Sequence, residues 1–160
     1  MAEIIRYDFE FALTEAAVEY VRALLPDEIQ ANRPVIGWVD SMSWLAEDRI
    51  AILSTEANGS AETIAEADCQ LEIGVKTKLA QATLQSDMER HRLAVDEVRG
   101  ALAIPADDIL DGLNEHRPRG IRFSFVGNAR EYSSDINDIV IYSSVRLSVK
   151  CFPFREESFE

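Results

Sequence analysis

The chain has 160 residues, 47% hydrophobic and 28% charged, which is the composition of a globular protein of about one domain. Its 29 acidic residues outnumber its 16 basic residues and give a net charge of −13. A charge of that sign repels phosphate backbones and anionic lipids, so we expect no direct nucleic-acid contact unless the basic residues cluster on one face, and no membrane contact.

The start of the chain lacks the basic region and apolar core of a signal peptide, and no apolar run approaches membrane-spanning length. We therefore expect a protein that is cytoplasmic at synthesis. Cys69 and Cys151 lie in apolar, strand-like positions, which favours buried free thiols. A disulfide between the two cysteines is the alternative if the two strands pair.

The first predicted elements are an arm and a helix. Apolar residues alternate with polar ones near the N-terminus, so residues 1–13 are expected to form an extended arm or an edge strand. Thr14 is the predicted N-cap of a helix through Leu25, which Pro26 ends.

Two short strands and a loop are predicted next. The strands are Val35–Val39 and Arg49–Ser54, and the small, polar stretch Thr55–Ala67 is a loop, with a helical turn over Ala61–Ala67 as the alternative. A loop of that length is either a contact loop or mobile. At its centre lie three predicted contact residues: Asn58, Gly59 and Ser60.

The strongest pattern runs from Cys69 to Leu102. Alternation over Cys69–Ala80 predicts a strand with one dry face. Ser86 and Glu89 have the spacing of a capping box, and apolar residues at steps of three and four then predict a helix. That stripe comprises Met88, His91, Val95, Val98 and Leu102. The helix and the strand would each bury an apolar face by packing together.

A short helix and a hairpin complete the prediction. Pro105–Leu113 has proline at its predicted first position and acids near its start, as helix N-termini favour. Ile121–Val126 and Ile139–Cys151 are expected to form a hairpin, with turn residues at Asp135–Asp138. The predicted fold is one α+β domain over 1–160: a mostly antiparallel sheet packed by two main helices, a C-terminal β-hairpin and a loose acidic tail over 155–160.

One cluster of side chains has the composition of a metal site. Asp107, Asp108, Asp111 and His116 supply oxygen and nitrogen at helical spacing. No calcium-loop glycine or paired histidine accompanies them, so solvated acids at a helix start explain the same residues. A small cytoplasmic ligand- or metal-binding domain, or an enzyme using this cluster, remains the alternative function.

No catalytic motif emerges from the sequence. His91 lies on the apolar helix stripe with no identifiable nucleophile or orienting acid, which favours a histidine at the core edge or an interface. Gly112, Gly120 and Gly127 do not have the spacing of a phosphate-binding loop. We expect no enzymatic activity, catalytic residue, metal or cofactor.

The order of these elements resembles the tail terminator, or tail completion, proteins of long-tailed phages and prophages. The matching segments are the helix Thr14–Leu25, the strand Asp68–Lys76, the helix Asp87–Leu102 and the strand Ile139–Cys151. The resemblance implies a structural protein of the virion without catalytic residues. Such proteins form a ring, commonly of six subunits, that ends growth of the tail tube and joins it to the head; a neighbouring neck or minor tail role is the close variant.

The resemblance also implies partners: further copies of this chain, the tail-tube protein and head-completion proteins. A ring closes through head-to-tail contacts, which exposed strand edges and hairpins can supply. Besides the three loop residues, the predicted contacts are Tyr132, Asp135, Asn137, Tyr142 and Arg146.

Overall fold

The computed structural model describes residues 9–28, 37–38, 48–56 and 67–153. The helices are α1 (Phe9–Leu24), α2 (Leu84–Leu102) and α3 (Ala106–Glu115), and a 3-10 turn (Gln81–Thr83) precedes α2. The strands are β1 (Gly37–Trp38), β2 (Arg49–Glu56), β3 (Ala67–Lys78), β4 (Ile121–Val126), β5 (Glu131–Ile136) and β6 (Val140–Pro153). None of the described helices combines the length and hydrophobicity needed to cross a bilayer.

The strands form one sheet in the order β1-β2-β3-β6-β4, and β5 also pairs with β6. Only the pairing of β1 with β2 is parallel among the described strands. β3 and β6 are in register from Ala67 opposite Cys151 to Lys78 opposite Val140. β4 pairs with the end of β6 and β5 with its beginning, so both lie along the same side of β6.

The core lies between this sheet and the helices. The alternate residues Cys69, Leu71, Ile73, Val75 and Thr77 of β3 are buried, and so are their partners on β6. The buried stripe of α2 contains His91, Ala94, Val95, Val98 and Leu102. The predicted α+β fold, with a helix packed on the dry face of the long strand, is confirmed, and the predicted short helix, α3, packs against β4.

The second face of β3 is not simply solvated. Lys76 on β3 and Ser144 on β6 are both 2% exposed, although their sequence positions predict a wet face. Gly74 lies under the ring of Tyr142, where a Cβ would collide with that ring. We call this the second face, and the side packed by helices the helix face.

The extended arm is wrong from Phe9 onward, because α1 begins there. Phe9 and Leu13 are buried with helical spacing, whereas Phe11, which completed the apparent alternation, is 51% exposed. Thr14 is not an N-cap: its hydroxyl donates to the carbonyl of Glu10 at 2.8 Å and also contacts the Ser54 hydroxyl at 2.8 Å. Residues 1–8 of the arm lie outside the described residues.

The capping box at the start of α2 is also wrong. The helix already begins at Leu84, so the Ser86 hydroxyl donates to the carbonyl of Thr83 at 3.0 Å. The carboxylate of Asp87 makes the local contacts instead, accepting the Ala80 N–H and the Thr83 hydroxyl, both at 2.9 Å. These bonds join the end of β3 to α2.

β5 is a strand that the sequence does not predict, because all six of its residues are exposed and it has no buried face. It, and not only β4, is the hairpin partner of β6. The turn chemistry is confirmed at Asn137, whose side-chain oxygen accepts the N–H groups of Ile139 and Val140 at 2.9 Å. Asp135 and Ile136 belong to the strand instead.

Two element boundaries, the two cysteines and two undescribed segments complete the comparison with the sequence. β2 continues two residues past Ser54, and Pro105 precedes α3 as its N-cap and not as its first residue. Cys69 and Cys151 are buried and not joined by a disulfide, and the Cys151 thiol donates to the Cys69 sulfur at 3.9 Å across β3 and β6. The loop centre at 58–60 and the tail at 155–160 lie outside the described residues.

Candidate assembly surface

The hairpin of β5 and β6 brings together five of the predicted contact residues. Tyr132 and Asp135 lie on β5, Asn137 at the turn, and Tyr142 and Arg146 on β6. Their directions differ, since alternate residues of a strand point to opposite faces. Tyr132 is paired with buried Val145 and points to the helix face, whereas Asp135, paired with Tyr142, points to the second face.

On the second face, Glu72 of β3 holds the two β6 residues in place. The Tyr142 hydroxyl donates to one Glu72 oxygen at 2.6 Å, and the Arg146 Nε lies 3.3 Å from the other in an ion pair. Burial, reinforced by the Glu72 charge, raises the pKa of Tyr142, so its hydroxyl remains a donor at neutral pH. Arg146 also donates to the Ser133 hydroxyl at 3.2 Å, which links β3, β6 and β5.

On the helix face, β5 presents apolar side chains that the described helices leave uncovered. Tyr132 is 45% exposed and Ile136 is 61% exposed. The guanidinium of Arg99, on α2, lies 4.5 Å from the centre of the Tyr132 ring, which is a cation–π contact at the edge of that helix. A contiguous exposed apolar patch is a feature of contact surfaces, whereas single exposed apolar residues are common on any protein.

A chain of polar side chains runs from β5 into the core. The hydroxyls of Ser134 and Ser143 are 2.8 Å apart, and His91 contacts Ser143 through Nε2 and Thr77 through Nδ1, each at 2.8 Å. His91 is 4% exposed, which fits the predicted position at the core edge, and the interface alternative stays a prediction. A serine beside a histidine is the geometry of an activated nucleophile, but Ser143 is only 3% exposed to solvent. These hydrogen-bonded side chains instead fix β5 and β6 against α2.

The outer edge of β5 carries backbone groups that have no partner among the described residues. The Asn137 N–H donates to the Val140 carbonyl at 3.0 Å, so odd-numbered residues of β5 bond to β6. By the same alternation, the N–H and C=O groups of Tyr132, Ser134 and Ile136 point outward.

The neighbouring edge at β4 is protected differently. The side chain of Asn114, at the end of α3, donates to the Phe123 carbonyl at 2.9 Å and accepts the Phe123 N–H at 3.0 Å. Arg130 anchors the connection between β4 and β5 by donating to the Leu102 carbonyl at 3.3 Å, at the end of α2. The part of this edge left open in the described structure is therefore β5.

The fold does not bring the acidic side chains of α3 and His116 together. Asp107, Asp108 and Asp111 are exposed, and His116 is at the other end of the helix. No three aspartate, glutamate, histidine or cysteine side chains within the described ranges are arranged to hold a metal ion. The three carboxylates occupy the solvated side of a helix.

The sequence analysis did not predict the open outer edge of β5 or the role of Glu72. Tyr132 and Ile136, four residues apart between Gly127 and Asn137, were the available signal for a short strand. Glu72 could be placed only once the register of β3 against β6 was known.

Comparison with known proteins gives no family for this chain. No protein-family model matches it, and no curated protein matches it either.

Proposed function

We propose that this chain is a structural assembly protein that closes into a ring, in the manner of the phage tail terminators it resembles. The observation that carries the proposal is the β5–β6 hairpin, which is buttressed from the core yet exposes every residue of β5. A rigid support beneath an exposed strand is what a contact between subunits requires.

The buttress consists of two groups of contacts on opposite faces. Glu72 holds Tyr142 and Arg146 on the second face, and the hydroxyl chain from Ser134 to His91 fixes β5 on the helix face. Because these side chains already have partners within the chain, their role is to support the hairpin. The contact itself then falls to the exposed Tyr132 and Ile136.

The charge of the chain is compatible with that role. At −13, free subunits repel one another, which opposes ring closure until a template or a partner brings them together. In the proposed role the ring binds the tip of the tail tube, stops its growth and presents a surface to head-completion proteins. Complementary charge on those partners would direct the contact. The functioning protein would then be a component of the virion.

The test is polymerisation of a tail-tube protein encoded beside this gene, followed by electron microscopy with and without this chain. The proposal predicts tubes that stop growing and carry a ring at one end when the chain is added. Tubes that elongate unchanged, with no bound ring, would contradict it. The genomic position is an independent check, since portal, tail-tube and tape-measure genes are expected nearby.

A further inference from the structure

The open edge of β5 is complementary to itself. We infer that β5 pairs in antiparallel fashion with β5 of a second copy of this chain, about a two-fold axis at Ser134. The inference goes beyond the ring, because a two-fold contact closes at two subunits, whereas a ring needs two different surfaces on each subunit.

The hydrogen-bonding groups define the register. Antiparallel strands related by an axis perpendicular to the sheet pair residues of the same face, so the axis lies midway between one residue and its own copy. With the axis at Ser134, this serine pairs with its own copy and Tyr132 pairs with Ile136 of the partner subunit. Every outward N–H and C=O group of Tyr132, Ser134 and Ile136 then finds a partner.

The side chains favour the same register. On the helix face, the exposed Tyr132 ring meets Ile136 of the partner subunit, an aromatic and β-branched pair of the kind that stabilises sheets. On the second face, Ser133 meets Asp135 of the partner subunit. The Arg146 guanidinium, which already donates to the Ser133 hydroxyl, lies close to that carboxylate.

A register shifted to Ser133 is disfavoured. It would set Glu131 opposite Asp135 of the partner subunit, and like charges directly opposite each other destabilise a sheet. It would also leave Ile136 beyond the paired residues of the other strand. The Ser134 register avoids both costs.

The size of the contact determines its strength. A pair of six-residue strands buries less area than a stable protein interface, so the dimer is weak and depends on concentration. Such a dimer would occupy the edge of β5 in the free protein, which protects the strand from pairing with unrelated chains, and it must dissociate before Tyr132 and Ile136 take part in a ring.

Sedimentation equilibrium of the whole chain at about 0.15 M salt, where repulsion between the acidic subunits is partly screened, tests the pairing. Ser134→Pro removes an N–H that points outward, and the inward N–H groups that bond to β6 are untouched. Ser134→Ala is the matched control, because it removes the contact with Ser143 but keeps the N–H. We expect the dissociation constant of the dimer to rise at least about tenfold for the proline variant relative to the alanine variant. Equal association of the two variants, or a wild-type monomer up to roughly 1 mM, would overturn the inference.

Oxidative cross-linking tests the register independently of the proline variant. Ser134→Cys would join two copies at the axis, where facing Cα atoms are about 5.5 Å apart, whereas Ser133→Cys would do so poorly. Melting curves establish that both variants are folded. Preferential cross-linking through Ser133→Cys would contradict the proposed axis. Loss of this dimer with ring formation intact counts only against this inference, and the reverse result counts only against the proposed function.

Discussion

Asp87 is the residue that best explains how α2 is joined to the sheet. Its carboxylate accepts the Ala80 N–H, the Thr83 hydroxyl and the Arg90 guanidinium, the last at 3.0 Å. The Ala80 bond is the largest cause of a lowered pKa at Asp87, with Thr83 and Arg90 contributing. The ionised form therefore stabilises the fold above the ordinary aspartate pKa of about 3.9, and this contribution is lost as the pH falls through the lower folded value.

The first prediction concerns Asp87→Asn. The melting temperature of this variant should lie below that of the wild type at pH 7, because the charge that Arg90, the Ala80 N–H and the Thr83 hydroxyl favour is gone. The gap should persist down to about pH 5 and narrow below about pH 4, where the carboxyl of the unfolded wild-type chain is protonated first and that of the folded chain only at lower pH. Asp111→Asn, an exposed acid on α3, is the control and should change little. A gap that stays constant to about pH 2 would show that charge plays no part.

The Tyr20 hydroxyl is a buried polar group whose removal should not weaken the fold. The side chain is 6% exposed and its hydroxyl has no hydrogen-bond partner in the described structure, while its ring packs on Gly112. Burial is the main cause of a raised pKa at Tyr20. A buried donor without a partner costs about 1–3 kcal/mol, so removing it should not weaken the fold.

The second prediction is that Tyr20→Phe leaves the free energy of unfolding unchanged or raises it by about 1 kcal/mol. Gly112→Ala is the contrasting variant, because its Cβ would collide with the same ring, and it should destabilise the fold by about 1–3 kcal/mol. Urea denaturation measures both. A marked loss of stability in Tyr20→Phe would mean that the hydroxyl has a partner.

At the scale of elements, the packing of α2 on β3 and the support of the hairpin by Glu72 can be compared. Val95 is 7% exposed between α2 and the sheet, whereas Glu72 is half-buried on the second face. The third prediction is that Val95→Asp costs about 3 kcal/mol or more, since an unpaired charge would enter the core. Glu72→Ala should cost about 1–2 kcal/mol, because Tyr142 loses its acceptor.

Glu72→Gln is the control for that comparison, because its amide oxygen can still accept the Tyr142 hydroxyl. It should recover most of the stability lost in the alanine variant. Chemical denaturation gives the free energy of unfolding of the three variants. If Val95→Asp is at least as stable as Glu72→Ala, the packing of α2 described above is contradicted.

The sequence predicted those elements that bury one face. β3, β6 and α2 were recognisable because their apolar residues recur with the period of a strand or a helix. β5 has no buried residue, so no such pattern exists in it. The start of α1 was missed because the alternation from Ile5 to Phe11 overlaps the helical spacing of Phe9 and Leu13, and burial of the latter pair decided the outcome.

The candidate surface was predicted in part for the same reason. Tyr142 and Arg146 are on the hairpin as expected, yet they lie against Glu72, a residue seventy positions from Tyr142 in sequence. Which residues meet across a sheet depends on strand register, and register follows from the fold as a whole. The edge of β5 depends likewise on α3 covering β4 and stopping short of β5.

At the scale of the whole molecule, net charge and assembly are connected. Each subunit carries −13, so bringing subunits together costs electrostatic energy that salt reduces. The Debye length falls from about 10 Å at 0.1 M salt to about 3 Å at 1 M, which removes most of the repulsion between exposed charges of neighbouring subunits. A ring should therefore form more readily as salt rises.

Light scattering across salt and protein concentration, with native mass spectrometry to count the subunits, tests the ring most directly. We predict a monomer or small oligomer at about 0.1 M salt and a closed ring of one defined size at about 1 M salt or high protein concentration. A chain that stays monomeric or dimeric under all of these conditions would contradict the account.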